Sequence, residues 1–232
     1  ASITGHDVLL DNAGNDFSSL AVGGGAVTVR DANALTLTAV TNGGNQGVDI
    51  LAAGALTLPS SPIDTGSAAL VLSSGATLTT AADLSGGDVS LTGPQGLTLA
   101  HNVQAAGNLS LQTNNAAVTQ TAGALSVGGD TTVTSGTAAV SLAQTTNDFG
   151  GTVTLDSPNV SIADANSLTV ALTNTGTQTA VVQGRSVTLD TEATRLSVNF
   201  TAVTEVATLN FMRATSLDIL GTSFGGLALD FN

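Results

Sequence analysis

Few groups in this chain of 232 residues could act on a substrate. Gly221-Thr222-Ser223-Phe224-Gly225 spells the Gly-x-Ser-x-Gly pattern. That pattern raises a serine nucleophile on a strand-to-helix turn and needs a histidine base later in the chain. The two histidines, His6 and His101, both precede it, so the match is one of letters only. Their separation is no metal-ligand spacing either. Carboxylates that could divide acid and base roles in glycoside cleavage are Asp83/Asp88, Asp156/Asp164 and Asp190/Glu192, and the sequence does not choose among these pairs. The cleft of such an enzyme also wants aromatic platforms and cations, and Trp, Tyr and Lys are absent. Gly43-Gly44-Asn45-Gln46-Gly47-Val48-Asp49-Ile50-Leu51 approaches the calcium-binding nonapeptide. It carries an extra residue and stands alone, whereas a calcium roll builds its sites from consecutive turns. Asn108-Leu109-Ser110, Asn159-Val160-Ser161 and Asn199-Phe200-Thr201 are N-glycosylation sequons, which chance supplies in so Asn- and Thr-rich a chain. We expect no enzyme, no cofactor and no metal ion.

Composition narrows the remaining classes. Four arginines, no lysine and a net charge of −13 argue against nucleic acid and anionic membranes, whose phosphates need basic groups. The absence of cysteine excludes a disulfide framework and thiolate metal sites. Charged residues make up 9% and aromatic residues 3%, while 36 threonines and 27 glycines fill the chain. Mean hydropathy is +0.34, and Val89 to Gly129 holds no Asp, Glu, Lys or Arg. That stretch is broken by Gly93-Pro94-Gln95-Gly96, Asn108 and Asn114-Asn115, so no apolar run of about 20 residues survives to insert in a membrane. The first residues show no basic-then-apolar leader and no Met, and 1–232 is expected to be a single segment of a longer chain.

The elements that would position these groups follow from one recurring unit: apolar, Thr or Ser, apolar. It appears as Val27-Thr28-Val29, Leu35-Thr36-Leu37, Leu56-Thr57-Leu58, Val89-Ser90-Leu91, Leu97-Thr98-Leu99, Val140-Ser141-Leu142 and Val187-Thr188-Leu189, among others. Period-two alternation in short, β-branched-rich runs specifies strands. Gly, Asn and Asp between the runs, as in Gly86-Gly87-Asp88 and Gly128-Gly129-Asp130, specify tight turns. Leu35, Leu56, Leu78 and Leu97 follow one another at spacings near 20 residues. The expectation is an all-β, right-handed parallel β-helix of about eleven coils of roughly 20–22 residues, with the outer residues of each triad inward and the central hydroxyl outward.

A longer duplication supports a solenoid. Asn15-Asp16-Phe17 with Val27-Thr28-Val29-Arg30-Asp31-Ala32-Asn33 matches Asn147-Asp148-Phe149 with Val160-Ser161-Ile162-Ala163-Asp164-Ala165-Asn166. The offset of 132–133 residues reads as about six turns of 22. Phe224-Gly225-Gly226-Leu227-Ala228-Leu229 is a weaker third copy of Phe17 to Val22. Residues 185–220 differ in composition: they lack glycine and hold Arg185, Arg195, Arg213, Glu192, Glu205, Phe200 and Phe211. Here we expect continued coils with larger side chains, as an end or contact region, rather than a helical cap over 191–213.

Asn147-Asp148-Phe149-Gly150-Gly151-Thr152-Val153 with Asp164-Ala165-Asn166-Ser167-Leu168-Thr169-Val170 resembles the haemagglutinin repeats of filamentous-haemagglutinin-like secreted adhesins. Gly86-Gly87-Asp88-Val89-Ser90-Leu91 and Ala106-Gly107-Asn108-Leu109-Ser110-Leu111 are similar to the same repeats. The resemblance covers nearly the whole chain in style, but only the two Asn-Asp-Phe units are specific. Members are two-partner-secretion exoproteins or autotransporter passengers. The resemblance implies a β-helix on the bacterial cell surface, an outer-membrane export partner, and a receptor or glycan on a host or neighbouring cell. The family's N-terminal secretion domain is not in this sequence. A non-enzymatic adhesin or fibre segment giving reach and display is the leading expectation. The alternative is a subunit that stacks on copies of itself into a filament or biofilm matrix, with Phe224 and Phe231 as end-to-end contacts, because open coil edges pair unless blocked. Ladders of outward hydroxyls would also suit an ice-binding solenoid, but Ala21, Asp49, Val71, Asn210, Asp218 and Ala228 interrupt the central position.

Overall fold

The computed structural model describes residues 1–201, 203–211, 216–221 and 226–231. Every strand pairing is parallel, and each strand bonds to one a full coil away. The result is a β-solenoid of about eleven coils, with no helix among the described residues. One long sheet of twelve strands runs from Val8–Leu10 to Gly226–Phe231. Facing it is a second sheet in two blocks: four strands from Ser2–Thr4 to Leu56–Thr57, then eight from Leu78–Thr79 to Ser216–Gly221. Leu56–Thr57 lies beside Leu78–Thr79, so the blocks form one face. A third, narrow sheet exists only in the middle: Ile63–Asp64, Leu84–Gly86, Val103–Ala105, Leu125–Val127 and Asp148–Phe149. Coils are therefore two-sided at both ends and three-sided between Ile63 and Phe149. At about 4.8 Å per coil the rod is roughly 50 Å long.

The triads behave as their alternation requires. In the long sheet Leu70, Val89 and Leu109 stack in register, as do Leu72, Leu91 and Leu111, and all six are buried. The residues between them, Val71, Ser90 and Ser110, face out. Burial of each such Leu or Val contributes about 1.5–3 kcal/mol before entropy. The stacking of like on like supplies close contacts without large side chains.

Coil length departs from the expected 20–22 residues. It is 22 from Val48 to Leu70 but 17 from Val153 to Val170. This also corrects the offset of the duplication. Val27–Asp31 is the second strand of the long sheet. Its counterpart Asn159–Ala163 lies on the opposite sheet, between the eighth and ninth strands of the long one. The copies are about six and a half coils apart and occupy opposite corners.

Over 191–213 the described residues form the strands Arg195–Thr201 and Val206–Phe211. These are ordinary two-sided coils, with Phe200 buried among the aliphatic side chains. The third copy falls partly outside the described residues, as does Phe224. Phe231 closes the backbone of the last strand, where its Cα pairs with that of Phe211.

Candidate functional site

The duplicated motif is a corner staple, built twice on the same backbone and carboxylate bonds. In the second copy, the strand Asn159–Ala163 delivers Asp164, 3% exposed, into the turn after it. Its Oδ2 accepts the N–H of Phe149 at 2.7 Å, and its Oδ1 accepts the N–H of Asn166. The N–H of Ala165 donates to the carbonyl of Asn147 at 2.7 Å. In the first copy Asp31, 1% exposed, accepts from Phe17 at 2.6 Å and from Asn33 at 3.0 Å, and Ala32 donates to the Asn15 carbonyl at 2.7 Å. The asparagines complete the corner: Asn15 Nδ2 donates to the Leu10 carbonyl and Asn147 Nδ2 to that of Leu142, both at 3.0 Å. Asn147 is fully buried and also exchanges bonds with Gln120, while accepting the Leu125 N–H. Asp16 and Asp148 are exposed, and Asp148 accepts from Asn166 Nδ2. The chain thus leaves the third sheet at Phe149 through a turn whose buried polar groups are mutually satisfied.

Burial pushes the Asp164 carboxyl up from the usual carboxylate value, against the opposing pull of the Phe149 and Asn166 N–H groups, and the neighbouring Asp148 charge adds to the rise. Asp64 moves the other way: the Gly66 N–H, then the Ser85 hydroxyl, stabilise its charged form.

Two ladders of Asp and Asn run along the rod beside the third sheet. Immediately before successive strands of the long sheet, Asp88 Oδ1 accepts from Asn108 N (2.7 Å), Asn108 Oδ1 from Asp130 N (2.9 Å) and Asp130 Oδ1 from Thr152 N (2.9 Å). Asp7 makes the same bond to Ala26 N in the first coil. The glycines preceding these residues allow the approach: a Cβ on Gly151 would lie 2.4 Å from Asp130 Oδ1 and 2.5 Å from the Gly129 carbonyl oxygen. The second ladder runs from Asp83 to the N–H and amide of Asn102, then from Asn102 Oδ1 to Ala124 N. Ala124 ends it, leaving a shallow groove of about 360 Å³ lined by Asp83, Ser85, Asn102, Gln104 and Ser126.

Most of the other candidates are held in the scaffold. Asp83 and Asp88 are rungs of different ladders; Asp190 accepts from Asn210, and Glu192 is exposed. Asp156 ends a long-sheet strand, while Asp164 belongs to the staple. In the calcium-like stretch the sole carboxylate, Asp49, pairs side-on with Arg30, and Asn45 Oδ1 accepts from Ser67. No group of three His, Cys, Asp or Glu residues is placed to hold a metal ion among the described residues. His6 and His101 are both exposed; His6 sits 3.4 Å from Asp7. Of the sequons, Asn108 is a ladder rung, Asn159 opens a strand and is exposed, and Asn199 lies mid-strand between Val181 and Leu220. Residues 222–225 of the Gly-x-Ser-x-Gly stretch lie outside the described residues. No helix among the described residues is long and apolar enough to cross a membrane.

The ladders are what sequence reasoning missed, although Gly-Gly-Asp, Ala-Gly-Asn and Gly-Gly-Asp at 86–88, 106–108 and 128–130 were their signal. A family described as repeats of unknown function (DUF5649) matches residues 86–156. The matched stretch starts at the first of these glycine turns and ends with the strand Thr152–Asp156, so it spans the continuous Asp88–Asn108–Asp130–Thr152 ladder and the last strands of the third sheet. It is similar to those repeats over less than a third of its length. Neither a curated protein nor a solved structure matches the chain.

Proposed function

We propose that this chain is a non-enzymatic, extracellular scaffold: a β-helix segment of a bacterial surface adhesin or fibre that gives reach and display, exported through an outer-membrane partner. The observation that carries the reading is where the polar chemistry goes. The buried aspartates and the ladder Asp and Asn residues bond to backbone N–H groups of their own or the next coil, a use that holds coils in register. The likeness to filamentous-haemagglutinin-like repeats supplies the surface setting, and loops or outward ladders supply the contact with a receptor or glycan. Protease shaving and antibody labelling of intact producing cells test it. Cleavage and label on unbroken cells are expected; label confined to lysed cells contradicts it.

A second reading gains from the structure. Of the interruptions to the hydroxyl ladder, Asp49, Val71, Asn210 and Ala228 lie on the long sheet, while Ala21 and Asp218 lie on the opposite face. Beside those two, an outward column of Ser19, Thr36, Thr57, Thr79, Thr98, Thr119, Ser141 and Ser161 carries a hydroxyl on each of eight coils and stops at Val181. Such a column favours an ice-binding surface. Thermal hysteresis of the purified protein tests it, and a melting–freezing gap of zero removes it.

A further inference from the structure

Asn42 closes the strand Leu35–Asn42, whose pairing with the preceding coil ends at Gly24 and Asn42. It stands just before the calcium-like stretch, and of the sixteen asparagines it alone precedes a glycine. Its side chain folds back over the peptide that follows, where Oδ1 accepts the N–H of Gly44 at 3.3 Å. Such a turn brings the carboxamide carbon toward the nitrogen of the residue between, here Gly43. Asn12 and Asn174 make the same bond, to Gly14 at 2.8 Å and to Gly176 at 3.1 Å, but Ala13 and Thr175 follow them. A Cβ on the following residue crowds the approach of its nitrogen to the carboxamide, and glycine has none. There is also room at this corner: a Cβ on Gly43 would meet the Gly25 Cα at 3.7 Å and the Gly24 carbonyl oxygen at 3.8 Å, both ordinary contacts.

We propose that Asn42 is a self-modifying site, at which the chain slowly converts its own asparagine to aspartate and isoaspartate with water as co-reactant. The Gly43 nitrogen attacks Cγ of Asn42 and gives up its proton. The N–Cγ bond forms, the Cγ–Nδ2 bond breaks, and Nδ2 leaves with that proton as ammonia. Water then opens the cyclic imide. Opening at Cγ leaves an ordinary aspartyl peptide, whereas opening at the Asn42 backbone carbonyl routes the chain through the side chain and lengthens it by a methylene. No electrons are exchanged. The loop concerned is bonded to both neighbouring coils: the Gly47 carbonyl accepts from Val27 at 3.0 Å, and Asn45 Oδ1 accepts the Ser67 N–H at 3.0 Å. Within it Asn42 Nδ2 donates to the Gln46 carbonyl at 2.6 Å, and conversion sets a carboxylate against that carbonyl instead. The modification therefore loosens this corner between the second and the long sheet, and adds a negative charge to a chain already at −13. The inference is independent of where the protein is displayed.

The test incubates the folded 232-residue chain at mildly alkaline pH, where the Gly43 N–H is more readily deprotonated. Peptide mass spectrometry, ammonia release and labelling by an isoaspartyl methyltransferase follow the reaction. Asn42 is expected to convert first, with one ammonia released per chain, while Asn12 and Asn174 stay as asparagine. Gly43→Ala keeps Asn42 in place and is expected to lose the conversion over the same period, with its β-sheet circular dichroism retained. Asn42→Gln, whose longer side chain does not close the same ring, is expected to lose it as well. In the converted fraction, amide exchange at Val27 and Ser67 is expected to rise. An Asn42 that stays intact, or that converts only after the chain is unfolded in urea, overturns the inference. So does conversion of Asn12 or Asn174 ahead of Asn42, or an unchanged rate in Gly43→Ala. Unchanged amide exchange in the converted fraction overturns the loosening.

Discussion

The backbone N–H of Phe149 donates to the carboxylate of Asp164 at 2.7 Å, and Phe17 and Asp31 repeat that bond at 2.6 Å on the opposite corner of the rod. A carboxylate so placed satisfies two backbone donors of a turn that has no strand partner there. Asp164→Ala would leave the N–H groups of Phe149 and Asn166 without their acceptor, at about 1–3 kcal/mol for each buried donor left unsatisfied. Asp31→Ala is expected to cost a similar amount at its own corner, through Phe17 and Asn33. Urea unfolding midpoints at unchanged slope check both.

The two shifted carboxyls should give opposite pH dependences. The folded value of Asp164 lies above the ordinary carboxylate value of 3.8, so the native state holds that proton more tightly than the unfolded chain. Stability through Asp164 is therefore lost as pH rises from 3.8 through its folded value, and Asp164→Asn should gain on the unmodified protein over that window. Asp64 lies below 3.8 and contributes stability above that value that disappears as pH falls through its folded value. Asp64→Asn should lose on the unmodified protein as pH rises. Unfolding midpoints from pH 3 to 7 for the two variants should diverge in sign.

Thr131 takes an inward position between Leu109 and Val153, and its Oγ1 is buried without a hydrogen-bond partner. Valine has nearly the same shape without the polar atom. Thr131→Val is expected to stabilise the protein by about 1 kcal/mol, since an unsatisfied buried hydroxyl costs about 1–3 kcal/mol. Thermal melting checks this, with an increased Tm expected.

Two glycines separate backbone conformation from coil contact. Gly44 has φ of +73° and open space around its Cβ position, so Gly44→Ala should cost only the left-handed backbone term, about 1 kcal/mol. A Cβ on Gly75 would stand 1.8 Å from the Ala53 carbonyl oxygen of the previous coil. Gly75→Ala must push coils apart and is expected to be much the more destabilising, as chemical denaturation of the pair would show.

Period-two triads made the parallel solenoid legible, because Leu-Thr-Leu and Val-Ser-Leu state their own inside and outside. The staple was also visible, as a duplication of Asn-Asp-Phe and Asp-Ala-Asn, although not the opposite corners it occupies. That depends on coil lengths, which run from 17 to 22 residues, and on a third sheet whose strands are as short as Ile63–Asp64 and mostly lack the triad, as in Val103-Gln104-Ala105. The ladders stayed hidden because Gly-Gly-Asp reads as a turn whether its carboxylate meets water or the next coil. Gln120 and Thr131 were obscured for the converse reason: each puts a polar residue where the triad rule wants an apolar one. Gln120 finds its partner in Asn147, 27 residues on, a contact that no local pattern announces.

If the polar residues serve to hold interchangeable coils, one coil can be removed whole. Deleting residues 89–108 joins Asp88 to Leu109, the residue already in register with Val89. Asp88 then takes the place of Asn108 beneath Asp130, and Asp83 that of Asn102 beneath Ala124. Small-angle scattering of this deletion tests the scaffold reading most directly, with circular dichroism alongside. The prediction is a cooperatively folded β rod shorter by about 5 Å. A deletion protein that is unfolded, or folded without shortening, would contradict it.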